Sequence, residues 1–290
     1  MRTTHIAASP RRGISGKGMN HSSRRYSRNL HFIARAGYAA RGIIYLIVGG
    51  LAALAAFGRG GGTTDSRGAL SEVMGAPFGK FLLVAIALGL LGYAAWRAVQ
   101  ALLDPDRHGT KPKGIIIRAA LAVSAAIHVG LAFFAASLAL GWGTSGGSGG
   151  SGGSSQEWTA LLLSQPAGQW LVGGVGVAIL GAGIAHIVKG WRADFERHFD
   201  MNASERKFIT PISKIGLCAR GVAFLIIGGF LIAAAIQQDP NEARGLSGAL
   251  QALQQQPFGW ILLAVLALGL VAFGAYSLIE SAYRRVHVPA

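Results

Sequence analysis

The sequence predicts an all-α transmembrane protein whose six helices form three parallel-repeated helical hairpins in a pseudo-threefold bundle. Three observations carry this. Of the 290 residues 51% are hydrophobic and 13% charged, where an ordinary soluble domain carries about a quarter charged residues. The apolar residues gather in six long, nearly charge-free stretches separated by basic segments. The first and last thirds of the chain then repeat each other in register.

The stretches are 33–57, 78–103, 114–141, 168–190, 211–237 and 257–281, each reaching the ~20 residues needed to cross a hydrocarbon core. They divide the chain into a basic, disordered cytoplasmic tail (1–32), hairpin 33–105, hairpin 113–199 with a Gly/Ser-rich loop at 143–155, and hairpin 209–286. The loop composition reads as flexible coil with nothing to bury. The tail carries Arg24-Arg25, but the following apolar run is too long for a signal h-region, so a cleaved leader is set aside.

Charge sets the expected orientation. Of 27 Lys and Arg, 21 fall in the N-terminal tail, the second and fourth connections and the C-terminal tail. Four (Arg59, Arg67, Lys80, Arg244) lie on the opposite side, and Arg41 and Arg220 fall inside spans. The positive-inside rule therefore puts both termini in the cytoplasm. A formal charge of +15 on a soluble domain would suggest nucleic acid. Here the charge follows topology, so the expected partners are membrane lipids, with anionic headgroups at the basic cytoplasmic face, and other membrane-protein subunits; nucleic acid is disfavoured.

The repeat is explicit. Arg35-Ala-Gly-Tyr-Ala-Ala-Arg41-Gly42-Ile-Ile-Tyr45 through Gly49-Gly50 returns as Lys214-Ile-Gly-Leu-Cys-Ala-Arg220-Gly221-Val-Ala-Phe224 through Gly228-Gly229. In the middle copy Ser124 takes the place of Arg41 and His128 that of Tyr45. Gly68-Ala-Leu70 through Pro77-Phe78-Gly79 returns as Gly248-Ala-Leu250 through Pro257-Phe258-Gly259, with Pro166-Ala-Gly168 between them. Each proline is expected in the first turn of its returning helix, where no intrahelical N–H bond is lost. A short Gly-Ala-Leu helix is expected at the outer surface ahead of it. Two helices per copy give all copies the same polarity, as in parallel repeats about an axis along the membrane normal.

These motifs resemble a bacterial membrane family known as domain of unknown function 1206, which typically holds three tandem two-helix copies. The resemblance covers about residues 30–286. It implies the architecture and a bacterial inner-membrane setting, and supplies no activity and no functional residues.

Candidate sites follow from charge inside the membrane, which is costly and usually faces protein or water. Arg41 and Arg220 are the leading pair, about two turns inside the cytoplasmic ends of their helices, with Ser124 at the third equivalent position. They are read as an anion or headgroup site, or as packing residues that bond to carbonyls or snorkel. His128 and Tyr45 are the candidate polar residues nearer mid-membrane. His186 lies too far from His128 in depth for a shared haem, and neither a cofactor nor a metal site is expected. Trp96-Arg97, His186 with Lys189, and Tyr276 with Glu280 read as interfacial anchors at helix ends. Ile187, Trp191, Phe195 and Phe199 recur every four residues, reading as a helix extension along the interface. Cys218 reads as a small packing residue. The many glycines suit close helix packing, not phosphate loops, because no Lys-Ser/Thr follows them.

No nucleophile–base pair stands out, so an enzyme is disfavoured. The sequence favours a non-enzymatic structural or accessory membrane component. The alternative is a passive channel, carrier or binder for an anion, a lipid or a small apolar molecule through the repeat interior.

Overall fold

In a computed structural model, residues 21–142, 153–196, 199 and 201–283 are described. Residues 1–20 of the expected tail, most of the Gly/Ser loop (143–152) and the C-terminal arginines lie outside them. Every regular element among the described residues is helical, and six helices are long and apolar enough to cross a membrane.

The spanning helices are α1 (His21–Ala56), α3 (Gly79–Leu103), α4 (Pro112–Leu140), α6 (Gly168–Arg192), α7 (Ala203–Gln237) and α9 (Gly259–Tyr283). Short helices α2 (Ser66–Gly75), α5 (Gly153–Leu163) and α8 (Leu246–Gln254) precede the second helix of each copy. Together these make a multi-pass membrane protein. α1 begins well inside the stretch expected as a tail, because residues 21–32 contain neither Gly nor Pro, and a helix once nucleated propagates readily through such sequence. α7 opens on a capping box: the Glu205 amide donates to the Asn202 side chain at 2.8 Å, and the Asn202 amide to the Glu205 carboxylate at 2.9 Å.

The turn into each second helix corrects the expectation for proline. Pro77, Pro166 and Pro257 stand two residues before their helices, not in the first turn. The residue after each one, Phe78, Ala167 or Phe258, takes a left-handed conformation with φ of 61°, 62° or 58°, which costs about 1–3 kcal/mol apiece. The helix must then open on glycine. A Cβ on Gly79, Gly168 or Gly259 would strike the carbonyl oxygens of Val73, Leu162 and Gln254 at the end of the preceding short helix. The Pro-x-Gly motif is thus a steric device that folds the short helix back over the top of its hairpin.

The spans pack in the order α4–α3–α1–α9–α7–α6. The second helix of each copy packs on the first helix of the next, and the last copy returns to the first through α9 and α1. Within copies one and three the two spans also pack on each other, α1 on α3 and α7 on α9, and the short helix touches both. In the middle copy α4 and α6 form no such interface, and α5 stays with α6. These two are the least buried spans. The inter-copy seams rest on close backbone approach: Gly42 lies against Gly274 and Leu278, and Gly221 against Gly183 and Ile187.

Past α6 the chain departs from its periodicity. Ala193 takes φ 53° and ends the helix. Phe195 and Phe199 turn back to bury against Leu217, Phe273 and Tyr276, and Glu196 accepts from Thr210 while pairing with Arg206. No extension runs along the interface, because two aromatic rings reach more cover beneath the bundle.

Candidate functional site

The basic end of the bundle, where α1, α4 and α7 enter, holds a polar centre to which all six spans contribute. Its fully bonded half is built on Arg41 of α1. The Arg41 guanidinium donates to the Glu280 carboxylate at 2.8 Å, to Ser277 Oγ at 3.0 and 3.2 Å, and to the Tyr93 hydroxyl. Arg41 and Glu280 keep side-chain exposures of only 7% and 3%, so the pair is withdrawn from solvent and lipid alike. Tyr93 also receives Arg97, which donates in turn to Gln100 at 3.0 Å.

The second half is built on Arg220 of α7. Its guanidinium carbon lies 4.9 Å from the ring centre of Tyr45, 4.7 Å from Phe224 and 4.5 Å from Phe273, an aromatic box that attracts a cation through its ring faces. Nε and Nη1 are buried and have no acceptor among the described residues, although Arg220 as a whole is half-buried and so not sealed on every side.

Helix packing explains why one arginine is satisfied and its counterpart is not. Gly42 on Gly274 and Leu278 corresponds to Gly221 on Gly183 and Ile187, and Gly37 on Tyr93 corresponds to Gly216 on Phe273. In this register Ser277 falls where His186 stands, Glu280 where Lys189 stands, and Tyr93 where Phe273 stands. Every acceptor around Arg41 is therefore replaced around Arg220. One becomes a benzene ring, another a cation, and the third a histidine whose Nδ1–H donates to its own helix at Ala182 O, 2.8 Å away; its Nε2 keeps a lone pair, but among the described residues no bond joins it to the buried Nε or Nη1 of Arg220. At the third seam the same repeat positions carry Arg97 on the second helix and Ser124 on the first, so the cation there stands on the other helix.

The middle copy lines the other side. His128 stacks on Tyr93 with ring centres 4.5 Å apart, and His186 meets Phe224 edge-on at 5.4 Å. His128 Nδ1–H donates to Ser124 O at 2.7 Å, leaving Nε2 as a lone-pair acceptor in the neutral ring. Both histidines lie within electrostatic range of Arg220 and Arg41. The structure thus brings Arg41, Arg220, Tyr45 and His128 into one region. Ser124 contributes its carbonyl there, and among the described residues no side-chain bond ties it to either arginine. Cys218 packs against Gly190.

The residues expected as interfacial anchors are interior instead. Trp96, Tyr276 and Glu280 are each at most 2% exposed. Trp96 Nε1 donates to the Tyr38 hydroxyl at 3.3 Å, and Lys189 donates to the Tyr276 hydroxyl at 3.2 Å. The cause is tertiary: neighbouring helices cover faces that a lone helix would present to headgroups. Counting Arg41, Arg97, Lys189 and Arg220 against Glu280 and Asp106, whose carboxylate accepts from Gln100 at 2.6 Å, the centre holds four cations and two carboxylates. A groove of about 490 Å³ lined by Trp191, Lys214, Ile215 and Cys218 lies on the outer side of α6 and α7.

Six apolar spans in three copies, with a charged centre at one end, define a repeat-built multi-pass membrane protein. The chain belongs to the family described as domain of unknown function 1206, whose model matches residues 36–104, 119–193 and 215–284. It is 36% identical over 255 residues to an uncharacterized protein of Bacillus subtilis (strain 168), covering 87% of this chain and 90% of that one. No solved structure matches.

Proposed function

We propose that this chain is a non-enzymatic protein of the bacterial inner membrane, with both termini cytoplasmic, that binds an anionic ligand at Arg220. The site sits in the cytoplasmic half of an incomplete pseudo-threefold ring. The cyclic order of the seams supports the ring, and the unpacked pair α4 and α6 marks where it is incomplete. The Lys and Arg distribution supports the orientation. One observation carries the binding reading: among the described residues the buried Nε and Nη1 of Arg220 have no acceptor, whereas its counterpart Arg41 has three. A buried polar group without a partner costs free energy, and a centre with more cations than carboxylates gives an anion a favourable field.

A second reading, a structural or accessory component, is favoured by the glycine-built seams, which would hold the hairpins together with no ligand at all. Thermal unfolding of the purified protein in a neutral detergent separates the two. Inorganic phosphate, sulfate and dodecyl phosphate are titrated at constant ionic strength against chloride. A ligand that binds the folded state raises the midpoint with concentration, so at least one anion should stabilise the wild type and leave Arg220→Gln unmoved. Identical responses of the two proteins to all three anions would overturn the binding reading and leave the accessory one.

A further inference from the structure

Resting on that reading, we infer that the Arg220 site takes a phosphate- or carboxylate-headed lipid of the adjoining leaflet, entering sideways between α4 and α6. Three observations converge. The first is the route. Among the described residues five of the six neighbouring pairs around the centre pack, and the exception is the pair α4 and α6. In the other two copies the short helix bridges both spans of its hairpin, but α5 leaves α4 unbridged. A side door is thus confined to the middle copy.

The second is what the door leads to. His128 projects from α4 and His186 from α6, and both lie within electrostatic range of Arg220. On the α6 side the His186 ring meets Phe224 at 5.4 Å, and Phe224 in turn lies 4.7 Å from the Arg220 guanidinium carbon. Neither histidine brings a formal negative charge, and Lys189 occupies the position that Glu280 fills at the equivalent seam. An incoming anion meets no carboxylate of its own repeat position.

The third is the character of the walls. Tyr45, Phe224 and Phe273 surround the guanidinium, whereas Ala132 and Ala135, beyond His128 on α4, are packed in the core and line no opening. The aromatic rings alone suit a ligand with one anionic end and an apolar body better than a fully hydrated ion, which would have to shed its water. Arg220 lies six residues beyond Lys214 on α7, about 9 Å along the axis, close enough to the basic end for a headgroup to reach. A free phosphate shares the headgroup chemistry, so chain dependence distinguishes the sources.

The test is direct binding to the purified full-length protein in neutral detergent, by calorimetry, with inorganic phosphate, butyl phosphate, octyl phosphate and dodecyl phosphate. Affinity should rise with chain length, dodecyl phosphate binding at least about tenfold more tightly than inorganic phosphate. Arg220→Gln should lose at least about tenfold of that affinity, and Arg220→Lys should fall between. Gel filtration establishes that the variants are folded, and Arg220→Lys keeps the charge if Arg220→Gln proves unstable. In nanodiscs of phosphatidylcholine doped with phosphatidic acid, native mass spectrometry should find phosphatidic acid retained by the wild type and lost from Arg220→Gln. Equal affinity for inorganic and dodecyl phosphate, abolished by Arg220→Gln, would defeat the lipid inference while keeping the anion site. Equal binding of dodecyl phosphate to wild type and Arg220→Gln means micellar partition only, and both the inference and the anion site then fall.

Discussion

Arg41 and Arg220 occupy the same place in two copies of one hairpin, on helices held by matching glycine contacts, yet their surroundings are opposite. Around Arg41 the sequence supplies a carboxylate, a hydroxyl and a phenol, all bonded to it. Around Arg220 those places carry Lys189, His186 and Phe273, and two of its nitrogens are buried unsatisfied. Packing and polar satisfaction have therefore been separated. The seam geometry is common to both, so the glycines specify how the helices meet, and a few side chains decide whether the charge there is closed or open. A charge satisfied by its own protein contributes to architecture. A charge left unsatisfied in the same architecture is available to something else.

The largest effect should come from opening the closed half. Glu280→Gln leaves Arg41 buried without its carboxylate, and removing one member of a buried pair costs about 3–5 kcal/mol. The unfolding midpoint in denaturant should fall accordingly, while Arg41→Met combined with Glu280→Gln should lose less than Glu280→Gln alone, because no charge is then stranded. If Glu280→Gln is as stable as the wild type, the pair does not hold the α1–α9 seam and the contrast between the halves fails.

Closing the open half is the complementary change. Lys189→Glu puts a carboxylate at the repeat position of Glu280, against the loss of the 3.2 Å bond from Lys189 to Tyr276. A new charge-assisted bond to Arg220 should stabilise the protein by about 1–2 kcal/mol net, and the stabilisation by added anions should disappear with it. A stable Lys189→Glu protein that still responds to anions as the wild type does would show that Arg220 is not where they bind.

Much of this was legible in the chain. Six apolar runs and the Gly-Ala-Leu…Pro-x-Gly repeat mark the spans and the short helices α2 and α8, because membrane crossing and tight turns are local demands on composition. Arg41 and Arg220 stood out because charge inside an apolar run is anomalous on its own. Glu280, Tyr93 and Ser277 did not, although a signal existed. Lining up Gln100, Lys189 and Glu280 at equal distances from the helix-opening glycines exposes a polar position in every copy. Near a helix end those residues resemble headgroup anchors, and only the packing of neighbouring helices makes them interior. Phe195 and Phe199 misled in the same way, since a four-residue spacing cannot distinguish a continuing helix from a chain that turns back once Ala193 has ended it. The parting of α4 from α6 is a matter of which helices meet, on which local pattern is silent.

The subtlest test is a single oxygen. Phe273 corresponds to Tyr93, whose hydroxyl serves Arg41, and its ring already lies 4.5 Å from the Arg220 guanidinium carbon. Phe273→Tyr should offer Arg220 one acceptor without changing charge. The expected gain is about 0.5–1 kcal/mol, reduced by whatever crowding the hydroxyl meets in a core where Phe273 is 1% exposed. The anion response should weaken without vanishing, because one neutral hydroxyl satisfies part of a guanidinium and leaves its charge unbalanced. This outcome differs from that of Lys189→Glu, which should remove the response entirely. If Phe273→Tyr instead destabilises the protein and leaves anion binding unchanged, the correspondence between Tyr93 and Phe273 stops at the backbone, and the open character of Arg220 must then rest on His186 and Lys189 alone.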